Sequence, residues 1–291
     1  MRQLAAHAAA GLAAVTLAAC GGEPSVTDQQ PSSQEASSSV TEPGAELGHI
    51  HGLGVNAGTL YIATHYGLWT APEGQTRAER FGESTQDVMG FSVVGRDRFI
   101  GSGHPDPSQQ LPPSLGLIES SDGGESWKSK SLLGRADFHV LESAGRRVYG
   151  FDGTQGRLMV SSDAGSSWER RTPPAGVFSL AISPDDPDRV VVSTEAGVLE
   201  SVDSGESWRP VNDRLAGLLA WPSPNRLYLV DGEGQVQATE DGGKQWEPVG
   251  SIGGAPAAFI ADGSDLYAAL GDGSVKRSSD GGRSWTVRAT P

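Results

Sequence analysis

Cysteine is almost absent: Cys20 is the single one in 291 residues. That excludes an internal disulfide framework, a thiolate zinc site and a cysteine nucleophile. Basic charge is also scarce, with 22 Lys and Arg against 36 Asp and Glu and no basic cluster. Such a surface repels a phosphate backbone, so nucleic acid is excluded as a partner, while cations are favoured. No segment keeps a helical hydrophobic period. The apolar run nearest to a membrane span lies in the first nineteen residues, and it is short and Ala-rich. A spanning helix needs about 20 apolar residues.

What that first segment does have is Arg2, a short Ala- and Leu-rich run, and Leu17-Ala18-Ala19-Cys20. A positive residue, an apolar run and small residues before a cut describe a secretory signal. Leu-Ala-Ala-Cys resembles the lipobox of bacterial lipoproteins, in which the cysteine becomes the acylated first residue. Residues 1–19 are therefore read as a signal and Cys20 as the lipidation site. The expected location is the extracytoplasmic face of a cell membrane, with the membrane itself as a partner through the lipid. Residues 20–47 carry the cysteine and a Ser-, Gln-, Glu-, Pro- and Gly-rich stretch with too little apolar surface to offset chain entropy, read as a flexible tether. Replacing Cys20 with Ser is expected to move the chain from the membrane to the soluble fraction; an unchanged membrane fraction would contradict lipidation.

From residue 48 onward an octapeptide recurs. "SSDGGESW" at 120–127 is followed by "SSDAGSSW", "SVDSGESW", "TEDGGKQW" and "SSDGGRSW". Their aspartates, Asp122, Asp163, Asp203, Asp241 and Asp280, lie 41, 40, 38 and 39 residues apart. Each box closes on a tryptophan: Trp127, Trp168, Trp208, Trp246 and Trp285. A sixth, faded copy, Thr70 to Arg77, has Pro72 for the aspartate and Arg77 for the tryptophan. A period near 40 with four short strand-like segments in each repeat signals a radial array of four-stranded sheets. The innermost strands are read as "IHGLGVN", "VMGFSVV", "FHVLES", "VFSLAIS", "GLLAWPS" and "AAFIAD". The expectation is an all-β, six-bladed β-propeller over residues 48–291. Each box sits between the third and fourth strands of its blade. Its Asp and leading Ser or Thr are suited to holding backbone amides of the turn, and its Trp to packing against neighbouring strands.

These boxes resemble the bacterial neuraminidase (Asp-box) repeat found in sialidases, sortilin-type receptors and photosystem assembly factors. More narrowly, "HIHGLGV", "LYIATHYGLW", "DVMGF", "SGHPD", "LGLIESSDGGESW" and "ADFHVL" resemble a group of bacterial lipoproteins filed as glycosyl hydrolases. The resemblance implies a propeller fold; that fold hosts unrelated activities. The arginine triad that sialidases use is not matched here. Arg98, Arg147, Arg189 and Arg226 recur at the start of second strands, on the face opposite the expected site.

The histidines are clustered. His49, His51, His65, His104 and His139 all fall in the first three blades. Alternation of strand direction puts them where first strands begin or second strands end, together with Asp87, Met89, Asp106, Asp137 and Asp152. His49-X-His51 is expected to present both rings on one side of a strand. Imidazoles suit divalent transition metals, and a thioether shifts preference toward copper. The expected function is binding of a metal ion, copper or zinc, or of an envelope protein or glycan. The ligands would be His51, His65, His104 and His139, with His49 and Met89. The alternative is glycoside hydrolysis by carboxylates such as Asp106, Asp152 and Glu195, since glycosidases use paired carboxyls. A third reading is a protein-interaction scaffold. The long Pro-rich loop "HPDPSQQLPPSLG" is expected to stand beside the axis as a flap.

Overall fold

The computed structural model describes residues 47–173 and 175–291; the signal, Cys20 and nearly all of the tether lie outside them. Among the described residues every regular element is a strand, and the strands form six four-stranded antiparallel sheets in chain order. The first blade is β1 (Ile50–Asn56), β2 (Thr59–Thr64), β3 (Gly67–Ala71) and β4 (Glu79–Phe81). The second is β5 (Asp87–Gly95), β6 (Arg98–His104), β7 (Leu117–Ser120) and β8 (Lys128–Ser131). The third is β9 (Phe138–Ala144), β10 (Arg147–Asp152), β11 (Arg157–Ser161) and β12 (Glu169–Arg171). Blade four runs from β13 (Val177–Ile182) through β14 (Val190–Thr194) and β15 (Gly197–Ser201) to β16 (Arg209–Asn212). Blade five runs from β17 (Leu218–Ser223) through β18 (Arg226–Val230) and β19 (Gln235–Thr239) to β20 (Glu247–Ser251). Blade six is β21 (Pro256–Asp262), β22 (Asp265–Leu270), β23 (Val275–Ser278) and β24 (Thr286–Ala289). Each inner strand touches the inner strand of the next blade, and β21 touches β1, so the ring is closed. This is the six-bladed β-propeller that the repeat leads one to expect.

The core is divided among the six junctions between blades. Leu180, Val192 and Tyr149 fill the junction of blades three and four, for example. Five of these junctions receive a box tryptophan. Trp127, Trp168, Trp208, Trp246 and Trp285 each pack on the core between their own blade and the preceding one. The box holds its tryptophan in place through hydrogen bonds within the turn. In the first box Ser120 Oγ donates to Asp122 Oδ1 at 2.7 Å and accepts from Gly124 N at 2.8 Å, while Ser126 N donates to Asp122 Oδ1 at 3.0 Å. The other four boxes repeat this pattern. The Ser126 hydroxyl and amide hold the Asp122 carboxyl near 2.

The sixth junction, between blades six and one, has no box tryptophan. There the chain end takes over. Thr290 pairs with the faded box: Thr290 N donates to Thr76 O and Ala78 N to Thr290 O, both at 2.7 Å. Arg288, only 8 % exposed, donates to Ala71 O at 2.8 Å and Gln75 O at 2.9 Å. The departures of the first repeat thus belong to its role as the receiving half of the ring closure. A charged hydrogen bond is worth about 1.5–3 kcal/mol, and buried carbonyls left without it are costly. Arg288→Ala is expected to lower unfolding free energy by about 3 kcal/mol, and the exposed Arg214→Ala to leave it unchanged. Equal denaturation midpoints for the two variants would contradict the closure.

Candidate metal centre

The inner strands enter the ring at one face, here called upper, and the boxes occupy the lower face. Five of the six inner strands open on a β-bulge. Pairing of β1 with β2 jumps from Ile50↔Thr64 to Gly52↔Ala63, leaving His51 as the extra residue. The same slip leaves Met89 in β5, His139 in β9, Phe178 in β13 and Ala257 in β21. A bulge re-aims the side chain it carries. These five residues and Leu218 of blade five line the upper mouth of the axial channel, one from each blade.

Two further positions complete the mouth. The backbone pairs His49 with His65, Asp87 with His104 and Asp137 with Gly153. Blade by blade the sequence therefore supplies His49, His51 and His65, then Asp87, Met89 and His104, then Asp137, His139 and Gly153. The two aspartates act as pivots. His65 Nδ1 lies 2.9 Å from Asp87 Oδ2, and His51 Nε2 lies 3.4 Å from Asp87 Oδ1. His139 Nε2 lies 3.0 Å from Asp137 Oδ2, and His104 Nε2 lies 3.7 Å from it. Thr154 Oγ1 also donates to Asp137 Oδ2, at 3.3 Å. Gly153 has to be small, because a Cβ there would come within 2.7 Å of His139 Nδ1.

Electrostatics separate His51 from His139. Burial, reinforced by the neighbouring histidines, pushes His51 down to about 4, so it is neutral at pH 7. Its Nε2 is buried without a hydrogen-bond partner among the described residues, and so is Asp87 Oδ1. Burial also raises the Asp87 carboxyl, with Asp137 adding to the rise. Burial acts in the same direction on Asp137, but the His139 hydrogen bond and the His139 and His104 charges outweigh it and hold that carboxyl low. The same hydrogen bond raises His139. His104 Nδ1 donates to Pro113 O at 2.8 Å, which in the neutral ring leaves Nε2 as the free lone pair.

His51, His65 and Asp87 each offer a ligand atom, and these atoms lie within 4.8 Å of one another. The donor set of two imidazoles and one carboxylate fits a divalent transition metal and leaves further positions open. The structure thus gathers the expected ligands into two clusters, His51 and His65 around Asp87, and His104 and His139 around Asp137. Met89 faces the same mouth. His49 does not join either cluster: β1 begins after it, the bulge upsets the alternation with His51, and its side chain is exposed. Asp87 and Asp137 are visible in the sequence as openings of inner strands. The shared pattern His-X-His, Asp-X-Met, Asp-X-His at three successive strand starts is the signal that places them in the mouth.

The alternative catalytic carboxylates have other contacts. Asp106 accepts from Ser108 N at 2.8 Å, Thr85 N at 3.0 Å and the Thr85 hydroxyl. Asp152 is fully buried and accepts from Arg157 Nε at 3.0 Å and Gln155 N at 3.2 Å. Glu195 is exposed in the turn after β14. Among the second-strand arginines, Arg189 and Arg226 donate to Glu200 and Glu240 at 2.6 Å, and Arg147 pairs with Asp188. The Pro-rich loop leaves the axis rather than standing beside it. Its Gln109 and Leu111 flank a groove with Trp127 and Ser129 on the outer strands of blade two. Its link to the mouth is the Pro113 carbonyl.

No protein-family model matches the chain, and no curated protein matches it. Solved structures do. An ancestral GH74 enzyme superposes with a TM-score of 0.55 at 15% identity, over 83% of this chain and 38% of that one. The chain thus spans well under half the length of that enzyme. YCF48 from Cyanidioschyzon merolae gives 0.51 at 15% identity, over 83% and 85% of the two chains. A chain of a nidogen/laminin complex gives 0.59 at 14% identity, over 75% and 88%.

In the metal-free chain His51 and His139 should titrate apart. The His51 midpoint is expected near pH 4 and the His139 midpoint above the ordinary 6.5. Because His51 is depressed, it contributes stability that is complete above pH 6.5 and is lost as the pH falls toward about 4. Imidazole NMR titration checks this; a His51 midpoint near 6.5 would contradict its burial. These likenesses and this geometry establish a β-propeller fold with a histidine- and aspartate-lined axial mouth.

Proposed function

We propose that the chain is a lipid-anchored, extracytoplasmic binding protein that holds a transition-metal ion, copper or zinc, in this mouth. The observation that carries the reading is the buried pair His51 Nε2 and Asp87 Oδ1, 3.4 Å apart and both without a hydrogen-bond partner among the described residues. Buried polar atoms are normally satisfied, so such a pair points to an unseen group between or above them. A cation answers both lone pairs at once, whereas a neutral imidazole protonated at Nδ1 turns its Nε2 lone pair toward the carboxylate. His65 stands above the pair as third ligand. Met89 on the same rim favours copper over zinc. The His104, His139 and Asp137 cluster borders the site and adds to its attraction for cations.

Glycoside hydrolysis is the second reading. The GH74 fold likeness supports it, and so does a pair of carboxyls in one mouth, Asp87 raised and Asp137 lowered. Opposed environments of that kind are how a proton donor and a carboxylate are made from two like groups. Against it, histidines occupy both carboxyls.

Titrating the metal-free full chain with copper and zinc is expected to raise its melting temperature by mass action. His65→Ala and Asp87→Asn should each weaken binding at least about tenfold, whereas His49→Ala should leave it unchanged. No shift with either ion, or undiminished affinity in His65→Ala, would remove the metal reading. Hydrolysis of aryl glycosides that is lost in Asp137→Asn would replace it with the enzyme.

A further inference from the structure

Between the outer edge of blade two and the outer strands of blade three lies a groove of about 620 Å3 whose charge runs against that of the chain. Arg135, Arg157 and Arg170 line it and no Asp or Glu does, although the chain carries 36 acidic residues against 22 basic ones. The sequence shows no basic cluster because the three arginines come from separate elements. Arg135 lies in the link between β8 and β9, Arg157 opens β11 and Arg170 lies in β12.

The repeat shows that two of these arginines are not demanded by the fold. Arg170 pairs with Met159, two residues before the first serine of its box. The same register position in the other blades holds Phe81, Ser129, Pro210, Pro248 and Val287, none of them charged. Arg157 stands two residues before Met159, where the other blades have Tyr66, Gly116, Gly197, Gln235 and Ser274. Blade three alone therefore carries a charge at both positions. Alternation puts Arg157 on the same face as Met159, and cross-strand pairing puts Arg170 beside it, so the two are diagonal neighbours about 7–8 Å apart. Like charges on one sheet face repel, and an anion between them removes that cost.

Arg157 is held in place. Its Nε donates to the buried Asp152 carboxylate at 3.0 Å and its Nη2 to Arg135 O at 2.7 Å, and Nη1 has no partner among the described residues. Asp152 offsets the charge of Arg157. Arg135 and Arg170 are exposed, and neither side chain makes an ion pair among the described residues. The rest of the lining is hydroxylic and aromatic. The Ser166 and Ser167 hydroxyls donate to Asp163, at 3.1 and 2.6 Å, which leaves their lone pairs for a donor in the groove. Trp168 Nε1 is engaged by Ser131 Oγ at 2.9 Å and Gly165 O at 3.1 Å, so the ring offers the groove its apolar surface.

The groove thus calls for negative charge, hydroxyl donors and an apolar face in one ligand. A carboxylated sugar has all three. Guanidinium forks take carboxylates two hydrogen bonds at a time, ring hydroxyls donate to the serines, and the apolar side of a pyranose rests on the indole. The volume falls within the range of about 300–1,000 Å3 usual for ligand sites.

We propose that this groove binds a uronate-containing oligosaccharide, with its carboxylates on Arg135 and Arg170 and a sugar face against Trp168. The site is independent of the metal mouth. The test is calorimetric titration of the full chain, at low salt, with trigalacturonate and with its neutral trimethyl ester. The acid is expected to bind at least about tenfold more tightly than the ester. Arg135→Gln and Arg170→Gln are each expected to weaken the acid about tenfold and to leave copper affinity within about twofold. Equal binding of acid and ester would overturn the proposal, as would undiminished binding in both variants or no binding of trigalacturonate at millimolar concentration. Triglutamate binding as tightly as trigalacturonate would also overturn it and make the groove a site for acidic peptides. The comparison of ligands uses the wild-type chain alone, so it decides the matter even if a variant folds poorly.

Discussion

The structure depends on the wedge of side chains between each blade and the next. A four-stranded sheet buries too little surface to stand alone. Here every sheet is held by two junction cores, and in five of the six junctions a tryptophan from the box crosses to the preceding blade. The hydroxyl and carboxylate of the box serve that contact by fixing the turn from which the tryptophan leaves. In the remaining junction the fixing element is Arg288 and the paired backbone of Thr290. The ring is closed by the chain end meeting the one repeat that lost its box.

Radial stacking brings six equivalent strand starts to one mouth, and the bulges turn one side chain from nearly every start toward the axis. Three of those six residues are His51, Met89 and His139. Two aspartates at an equivalent position, Asp87 and Asp137, each meet a histidine that ends the preceding blade's second strand, His65 and His104. Convergence here follows from repetition of a backbone irregularity, so His51 and Asp87, 36 positions apart along the chain, meet without any long loop to carry them.

The number of blades, the order of their strands and the place of the boxes were legible because spacing and alternation are properties of the chain itself. The histidine clustering in blades one to three was legible for the same reason. The bulges were not, because a bulge is a mismatch between two strands and neither strand alone records it. Hence His49 and His51, two apart, were expected side by side and are separated. The Pro-rich loop was legible as long and stiff, but its direction is set by the groove beside Trp127 and Ser129, which the sequence does not display. The place of the two aspartates in the mouth lay in the alignment of strand starts, where three-residue patterns repeat without repeating a letter.

The central claim is that His51, His65 and Asp87 close on one metal ion. X-ray absorption at the copper edge of the loaded chain tests it most directly, because it counts the atoms around the ion. The account predicts two imidazole nitrogens and at least one oxygen in wild type, and one imidazole in His51→Ala. A shell without imidazole, or one unchanged by His51→Ala, would contradict it.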